Sequence, residues 1–258
     1  MYGDKTFTDE ERERYSRQLI LPGIGSGGQA RLRNSRVLIV GAGGLGSPAA
    51  MYLAAAGVGV LGILDADTVD RSNIQRQILH GSDDVGRLKT LSAGETLSGI
   101  NPNVEIVLRD LLLTMDTVRE AVSGYDAVLG CVDNFDARYA INAACVDLRI
   151  PNIYGSVSMF EGQASVFPPG GPCYRCFFRD PPPPGWSPEP GEKGILGVVP
   201  GIIGCIQATE TLKTLLGIGK TLAGRLVLLD ALSMSFREIM VKKDPDCPAC
   251  GEREGRQA

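Results

Sequence analysis

The sequence predicts an α/β protein built on a doubly wound, mainly parallel sheet that is continued by antiparallel strands. Three observations point there. Apolar runs rich in leucine and β-branched residues alternate with helix-length segments from residue 36 to about 155. The first run, "RVLIV", leads straight into the glycine turn "GAGGLG" and a helical stretch. Beyond residue 155 the alternation stops, and "SVSMF" and "QASVFP" lie close enough together to pair antiparallel.

Residues 8–33 are charged and amphipathic and read as one or two helices ahead of the first strand. "RVLIV" (36–40) has the composition of a strand covered on both faces. In the helix after the glycine turn, Pro48 stands near the start, where a missing N–H does no harm, and Gly57 supplies the stop. "VLGIL" (60–64) is the second strand, followed by a helix over roughly 85–98. Next come "VEIVL" (104–108), a helix near 115–123, "DAVLG" (126–130), a helix near 135–148 and "IPNIYG" (150–155). After the antiparallel pair, the proline-rich segment 179–194 forbids regular structure and reads as a long surface crossing. A helix of about 198–216 and the strands "RLVLLDA" and "FREIMVK" complete a Rossmann-like domain. With no internal repeat and no strong boundary, residues 1–258 form a single domain whose nucleotide-binding half ends near 155.

The composition narrows the function. The 26 basic and 30 acidic residues leave a net charge of −4, which speaks against general nucleic-acid binding. The first residues lack the basic and then apolar run of a signal peptide. The most apolar later stretch, 194–217, contains Gln207, Glu210 and Lys213 and is broken by Pro200, so it reads as a buried helix and not a membrane span. Seven cysteines without an export signal point to a cytoplasmic protein and to metal ligation over disulfide bonding.

Gly41, Gly43 and Gly46 make the G-x-G-x-x-G spacing between a strand and a helix. Glycines there allow a tight turn that offers backbone N–H groups to a phosphate at the positive end of a helix. Asp65 follows the second strand, 19 residues after Gly46, where a carboxylate can accept hydrogen bonds from ribose hydroxyls. A purely structural turn is the plain alternative, and the cradle alone does not distinguish NAD, FAD or ATP. Ser72, Asn73 and Arg76 stand just beyond the nucleotide strand, and "GRLK" adds Arg87 and Lys89. A nicotinamide cofactor brings only a diphosphate, which the turn already serves. A second cationic cluster suits a triphosphate and a transition state gathering negative charge on phosphorus. The fourth strand leads to Asp133, the best-placed carboxylate for Mg²⁺, and to Asn134, which could orient the nucleotide. Either residue could instead cap the helix that follows.

The strings "RYSRQLILPGIG", "GAGGLGSP", "LDADTVDRSNIQRQ", "GRLK", "NPNV", "CVDNFDARYAIN", "EGQASVF", "PCYRC", "GCIQATETLK" and "CPACG" occur in that order. Together, over residues 9 to 251, they resemble the ThiF/MoeB/HesA family, relatives of the ubiquitin-activating enzymes. The resemblance implies an enzyme that uses ATP and Mg²⁺ to adenylate the C-terminal glycine carboxylate of a ubiquitin-like sulfur-carrier protein ending in Gly-Gly. It further implies that Asp65 holds the ribose with the Gly44 backbone beside the nucleotide. Asn73, Arg76 and Lys89 would contact phosphates, and Asp133 would bind Mg²⁺. Arg17 would reach the phosphates of a neighbouring subunit in a homodimer. Residues 156–258 would then form a carrier-binding half. The pathway served would be molybdopterin, thiamin or another sulfur transfer.

Cys173-x-x-Cys176 and Cys247-x-x-Cys250 are two pairs whose four thiolates suit a closed, structural zinc site. Either pair alone would also fit a redox motif. The chain departs from those family members that carry a reactive cysteine in the crossover loop, since none occurs from residue 179 to 204. Cys131, Cys145 and Cys205 look packed, and no rhodanese-like extension follows residue 258. The expectation is therefore a MoeB-like enzyme that stops at the acyl-adenylate and leaves sulfur delivery to a separate donor protein. Competing readings are adenylation of a peptide or small-molecule carboxylate, an NAD-dependent oxidoreductase, and a non-catalytic protein that only docks a carrier. His80, the single histidine, reads as a structural loop residue.

Overall fold

The computed structural model describes residues 7–183 and 194–251, so most of the expected crossing at 179–194 lies outside the described residues. Three helices, α1 (Asp9–Arg14), α2 (Ser16–Leu19) and α3 (Gly25–Arg33), precede β1 (Arg36–Val40). α1 starts at a reciprocal cap, in which the Thr8 hydroxyl accepts from Glu11 N–H and the Glu11 carboxylate accepts from Thr8 N–H. Next come α4 (Gly46–Ala56), β2 (Val60–Leu64), α5 (Lys89–Ile100) and β3 (Glu105–Arg109). They are followed by α6 (Val118–Val122), β4 (Ala127–Gly130) and α7 (Phe135–Leu148). The rest comprises β5 (Asn152–Ser158), β6 (Glu161–Phe167), α8 (Tyr174–Phe177), α9 (Val198–Leu216), β7 (Arg225–Asp230) and β8 (Ser235–Met240).

Among the described residues these strands form one sheet in the order β3-β2-β1-β4-β5-β6-β7-β8. The strands from β3 to β5 run parallel, and β6 to β8 are added antiparallel. Val37 and Ile39 join the cluster beneath α4, α5 and α9, whereas Leu38 and Val40 join the one beneath α6 and α7. A strand covered by helices on both faces is apolar wherever it is buried, which is why β1 is an unbroken apolar run from Val37 to Val40.

Several elements differ from expectation: residues 8–33 hold three helices and not one or two, and the short helix α8 is not among those expected. The helix expected from about 85 begins at Lys89, because Gly86 takes a left-handed φ of +88° and residues 82–84 form a 3₁₀ turn. "IPNIYG" and "SVSMF" are not separate strands. They are largely one strand, β5, paired parallel with β4 through Asn152, Ile153 and Tyr154 on one edge and antiparallel with β6 along its whole length on the other.

α9 packs across the middle of the sheet, and two of its buried polar residues tie it to its surroundings. Gln207 donates to the carbonyls of Gly130 and Ile153, both at 3.1 Å, and so ties α9 to the ends of β4 and β5. Gly155 makes room for it, since a Cβ at 155 would lie 2.5 Å from the Gln207 amide. Glu210 accepts from Leu222 N–H at 2.7 Å and pairs with Lys213 at 2.5 Å, anchoring the loop ahead of β7.

Candidate active site and metal cluster

The strand order reverses between β1 and β4, and an open parallel sheet binds ligands outside the carboxyl ends of its strands at such a point. The glycine turn follows β1 there, and the loop carrying Asp133 follows β4. Gly41 has φ +99°, and a Cβ on it would lie 2.6 Å from the Cys131 carbonyl oxygen. A Cβ on Gly46 would sit 1.9 Å from the Gly41 carbonyl oxygen, so neither position tolerates a side chain. Gly43 faces Gln77, and Gly44 faces Pro200 of α9 and the stem of Arg76.

Asp65 is turned toward this cradle. One carboxylate oxygen accepts Ala42 N–H at 2.7 Å and the other accepts Asp67 N–H at 2.9 Å. Lys89, buried at the first residue of α5, places Nζ 2.7 Å from Asp67 and 4.0 Å from Asp65. Ser72 and Asn73 belong to a 3₁₀ turn, Arg71–Asn73, capped by Asp70, which accepts Ser72 N–H at 2.7 Å. The Asn73 side chain accepts Asp70 N–H, and Arg76 donates to the Ser72 carbonyl at 3.1 Å. An apolar groove of about 600 Å³ opens beside Arg76 and is lined by Pro48, Ile78, Val198, Ile202 and Phe236.

Asp133 is exposed in the loop between β4 and α7. Asn134 is the N-cap of α7, its Oδ1 accepting Ala137 N–H at 2.9 Å, so its amide nitrogen is the part left for a ligand. Arg17 is not gathered with the others. Its helix α2 lies at the opposite end of α4, where Gln18 donates to the Ala56 carbonyl and Tyr15 abuts Gly57. The 11 residues of α4 span about 16 Å at 1.5 Å per residue.

Two residues here make contacts that sequence reasoning does not assign: Arg138, which it leaves out, and His80, which it reads only as a structural loop residue. Arg138, one turn beyond Asn134, donates to the Val132 carbonyl at 3.2 Å and the Ser156 hydroxyl at 2.9 Å, bracing the Asp133 loop from beneath. Its four-residue spacing from Asn134 is a usable sign. His80 is 4 % exposed, with Nε2 2.9 Å from the Ala42 carbonyl oxygen and Nδ1 2.8 Å from the Ser92 hydroxyl. No local pattern marks it.

The four cysteines of the two C-x-x-C pairs come together as free thiols, with all Sγ atoms within 4.8 Å of one another. Cys173 and Cys247 are 3.6 Å apart and Cys176 and Cys250 3.4 Å. Tetrahedral zinc with Zn–S near 2.3 Å sets its sulfurs about 3.8 Å apart, so the donor set and its spacing fit that ion. The cluster is braced as thiolates require. Cys176 Sγ accepts N–H from Cys173 and Asp244, each at 3.4 Å, and Asn142 donates toward Cys173 Sγ at 3.7 Å. A metal bound by all four would leave no free pair for redox chemistry. Burial pushes the thiols of Cys131 and Cys145 up to about 12, in keeping with packed, unreactive side chains. Cys205 is half-buried and faces the groove beside Arg76, so it is less enclosed than the sequence suggests.

The chain matches the family described as "ThiF family" over residues 15–249. It is 48% identical over 240 residues to the SAMP-activating enzyme E1 of Haloferax volcanii, covering 93% of this chain and 89% of that protein. It is 46% identical over 252 residues to the sulfur carrier protein adenylyltransferase of Thermus thermophilus, covering 95% of this chain and 93% of that one. Among solved structures, E. coli MccB with ATP superposes with a TM-score of 0.81 at 21% identity, covering 96% of this chain and 76% of that chain. That last likeness bears on the fold alone.

Proposed function

The chain belongs to the ThiF family, and on that premise we propose that it adenylates the C-terminal glycine carboxylate of a ubiquitin-like sulfur-carrier protein at the expense of ATP. A carboxylate oxygen of the carrier attacks the α-phosphorus, the bond to the departing pyrophosphate breaks, and a mixed acyl-phosphate anhydride with AMP is left. The barrier is one of charge repulsion and positioning, so oriented donors and cations matter more than an acid–base pair.

The observation that carries this reading is the convergence of Arg76, from the loop after β2, and Lys89, from the start of α5, on one glycine turn. The Arg76 stem packs at Gly44, while Lys89 lies 4.0 Å from the Asp65 carboxylate that holds Ala42 N–H. A diphosphate cofactor would need only the turn. In the proposed complex the N–H groups of the turn, with Gly41, Gly43, Gly44 and Gly46, cradle phosphates. Asp65 keeps lone pairs free for ribose hydroxyls, while Ser72, Asn73 and the Asn134 amide line the nucleotide. Arg76 and Lys89 neutralise phosphate charge. Asp133 is the residue to hold Mg²⁺, which when bound would screen the phosphate oxygens. Cys173, Cys176, Cys247 and Cys250 would hold zinc in a structural role.

Arg17, remote from its own chain's turn, suits the shared site of a homodimer, in which it would serve the neighbouring subunit. We place the protein in the cytoplasm. No helix among the described residues is long and apolar enough to cross a membrane. Residues 1–155 supply the nucleotide half and 156–258 the carrier-binding half. A separate protein delivers sulfur.

The test is ATP–pyrophosphate exchange with Mg²⁺ and a panel of ubiquitin-like carriers ending in Gly-Gly. Exchange that disappears in Asp133→Ala, and with a carrier lacking its last glycine, supports the proposal. ATP binding without exchange for any carrier would overturn it in favour of a peptide or small-molecule carboxylate. Tight NADH binding would point to the oxidoreductase.

A further inference from the structure

The second residue of the glycine turn, Ala42, is held from both sides. Ala42 N–H donates to Asp65 at 2.7 Å, and the Ala42 carbonyl receives His80 Nε2 at 2.9 Å. A carbonyl oxygen only accepts, so Nε2 carries the hydrogen. Nδ1, 2.8 Å from the Ser92 hydroxyl, is then the acceptor of the neutral ring. Burial lowers the His80 pKa and keeps the ring in that neutral form.

We infer that His80 is a positioning residue for the nucleotide, fixing the Ala42–Gly43 peptide so that the Gly43 amide is presented to phosphate. In a trans peptide the C=O and N–H point in opposite directions, so drawing the Ala42 oxygen inward onto His80 turns the Gly43 N–H away from it, to the face of the turn that a ligand approaches. Without that bond the peptide can rotate and withdraw a donor from the anion. The other ring nitrogen joins the same device to α5. Ser92 stands one turn after Lys89, so a single ring ties the phosphate turn to the helix that supplies a phosphate cation. Asp65 braces the preceding peptide, and glycine's freedom at 41 and 43 makes both braces necessary.

This assignment rests on the proposed use of ATP and is tested without depending on the carrier. Because the chain has one histidine, ¹⁵N spectra of the imidazole are unambiguous. Wild-type protein should hold the proton on Nε2 near neutral pH, and its ring signals should move on addition of a non-hydrolysable ATP analogue. His80→Ala should weaken ATP binding and raise KM for ATP about tenfold or more, leaving KM for the carrier unchanged. His80→Gln, whose amide N–H can reach the Ala42 oxygen, should recover most of the loss. A proton on Nδ1, an unmoved ring, a folded His80→Ala that binds ATP like wild type, or a glutamine variant no better than alanine would each overturn the inference. If wild type binds ATP in a His80-dependent way yet exchanges pyrophosphate with no carrier, the carrier reading fails and His80's role stands.

Discussion

Lys89 Nζ sits 2.7 Å from Asp67 and 4.0 Å from Asp65, so the cation expected to meet phosphate is already held between two carboxylates in the free protein. The arrangement keeps a buried ammonium hydrogen-bonded until a ligand arrives, and it aims the lysine before binding. Lys89→Met should therefore reduce pyrophosphate exchange by about 10²-fold or more, since a preorganised donor to developing charge is removed. Lys89→Arg should not restore it, because the planar fork cannot occupy the site of a compact ammonium. Steady-state exchange rates at saturating carrier decide the point.

Removal of metal should be measurable without any activity assay. Elemental analysis should find about one zinc per chain, and a strong chelator should release it and lower the melting temperature. Cys176→Ser and Cys250→Ser should each reproduce both effects. Cys205→Ser should do neither, since that thiol stands apart from the cluster.

Glu210→Ala should destabilise the fold by about 1–3 kcal/mol by leaving the buried Leu222 N–H without its acceptor. Lys213→Ala removes only the more exposed partner and should cost under about 1 kcal/mol. Urea denaturation of the three proteins separates the two terms.

His80 gives the pH dependence a definite sign. Its pKa is lowered in the folded protein, chiefly by burial and further by Lys89, against the opposing Ala42 bond and the carboxylates of Asp84 and Asp65. Between the folded and unfolded pKa values the unfolded chain binds more protons, so stability rises with pH across that window. The contribution is complete above about pH 6.5, the ordinary histidine value, and is lost progressively as pH falls toward the folded pKa. The melting temperature should fall between pH 7 and pH 5.5, and the fall should be smaller in His80→Gln. Equal slopes for the two proteins would contradict this assignment.

The parallel half of the sheet is legible in the sequence because its signals are local. β1 and β2 lie at the expected residues, and Gly57 ends α4 in the left-handed conformation. The extent of β5 is not legible, since it depends on which partner lies along each edge. The start of α5 is hidden for a different reason. One glycine's positive φ decides it, and a glycine's φ sign is not written in its neighbours. In the candidate site, spacing alone brings out the glycine turn, Asp65 and the two cysteine pairs. His80 is legible only as a structural residue and its hold on the turn is not, because its partner Ala42 is 38 residues away and the bond goes to a main-chain atom, which leaves no trace in side-chain pattern.

The distribution of the four thiols along the chain sets an order of events during synthesis. Cys173 and Cys176 are made first, and 70 residues separate Cys176 from Cys247. At translation rates of about 5–20 residues per second, the first pair waits roughly 4–14 s for the second. During that interval the nascent polypeptide carries an uncoordinated dithiol, unable to acquire its full ligand set until α9, β7 and β8 have been made. Assembly of a four-thiol metal site would thus be a late step, possible only once Cys247 and Cys250 have been made.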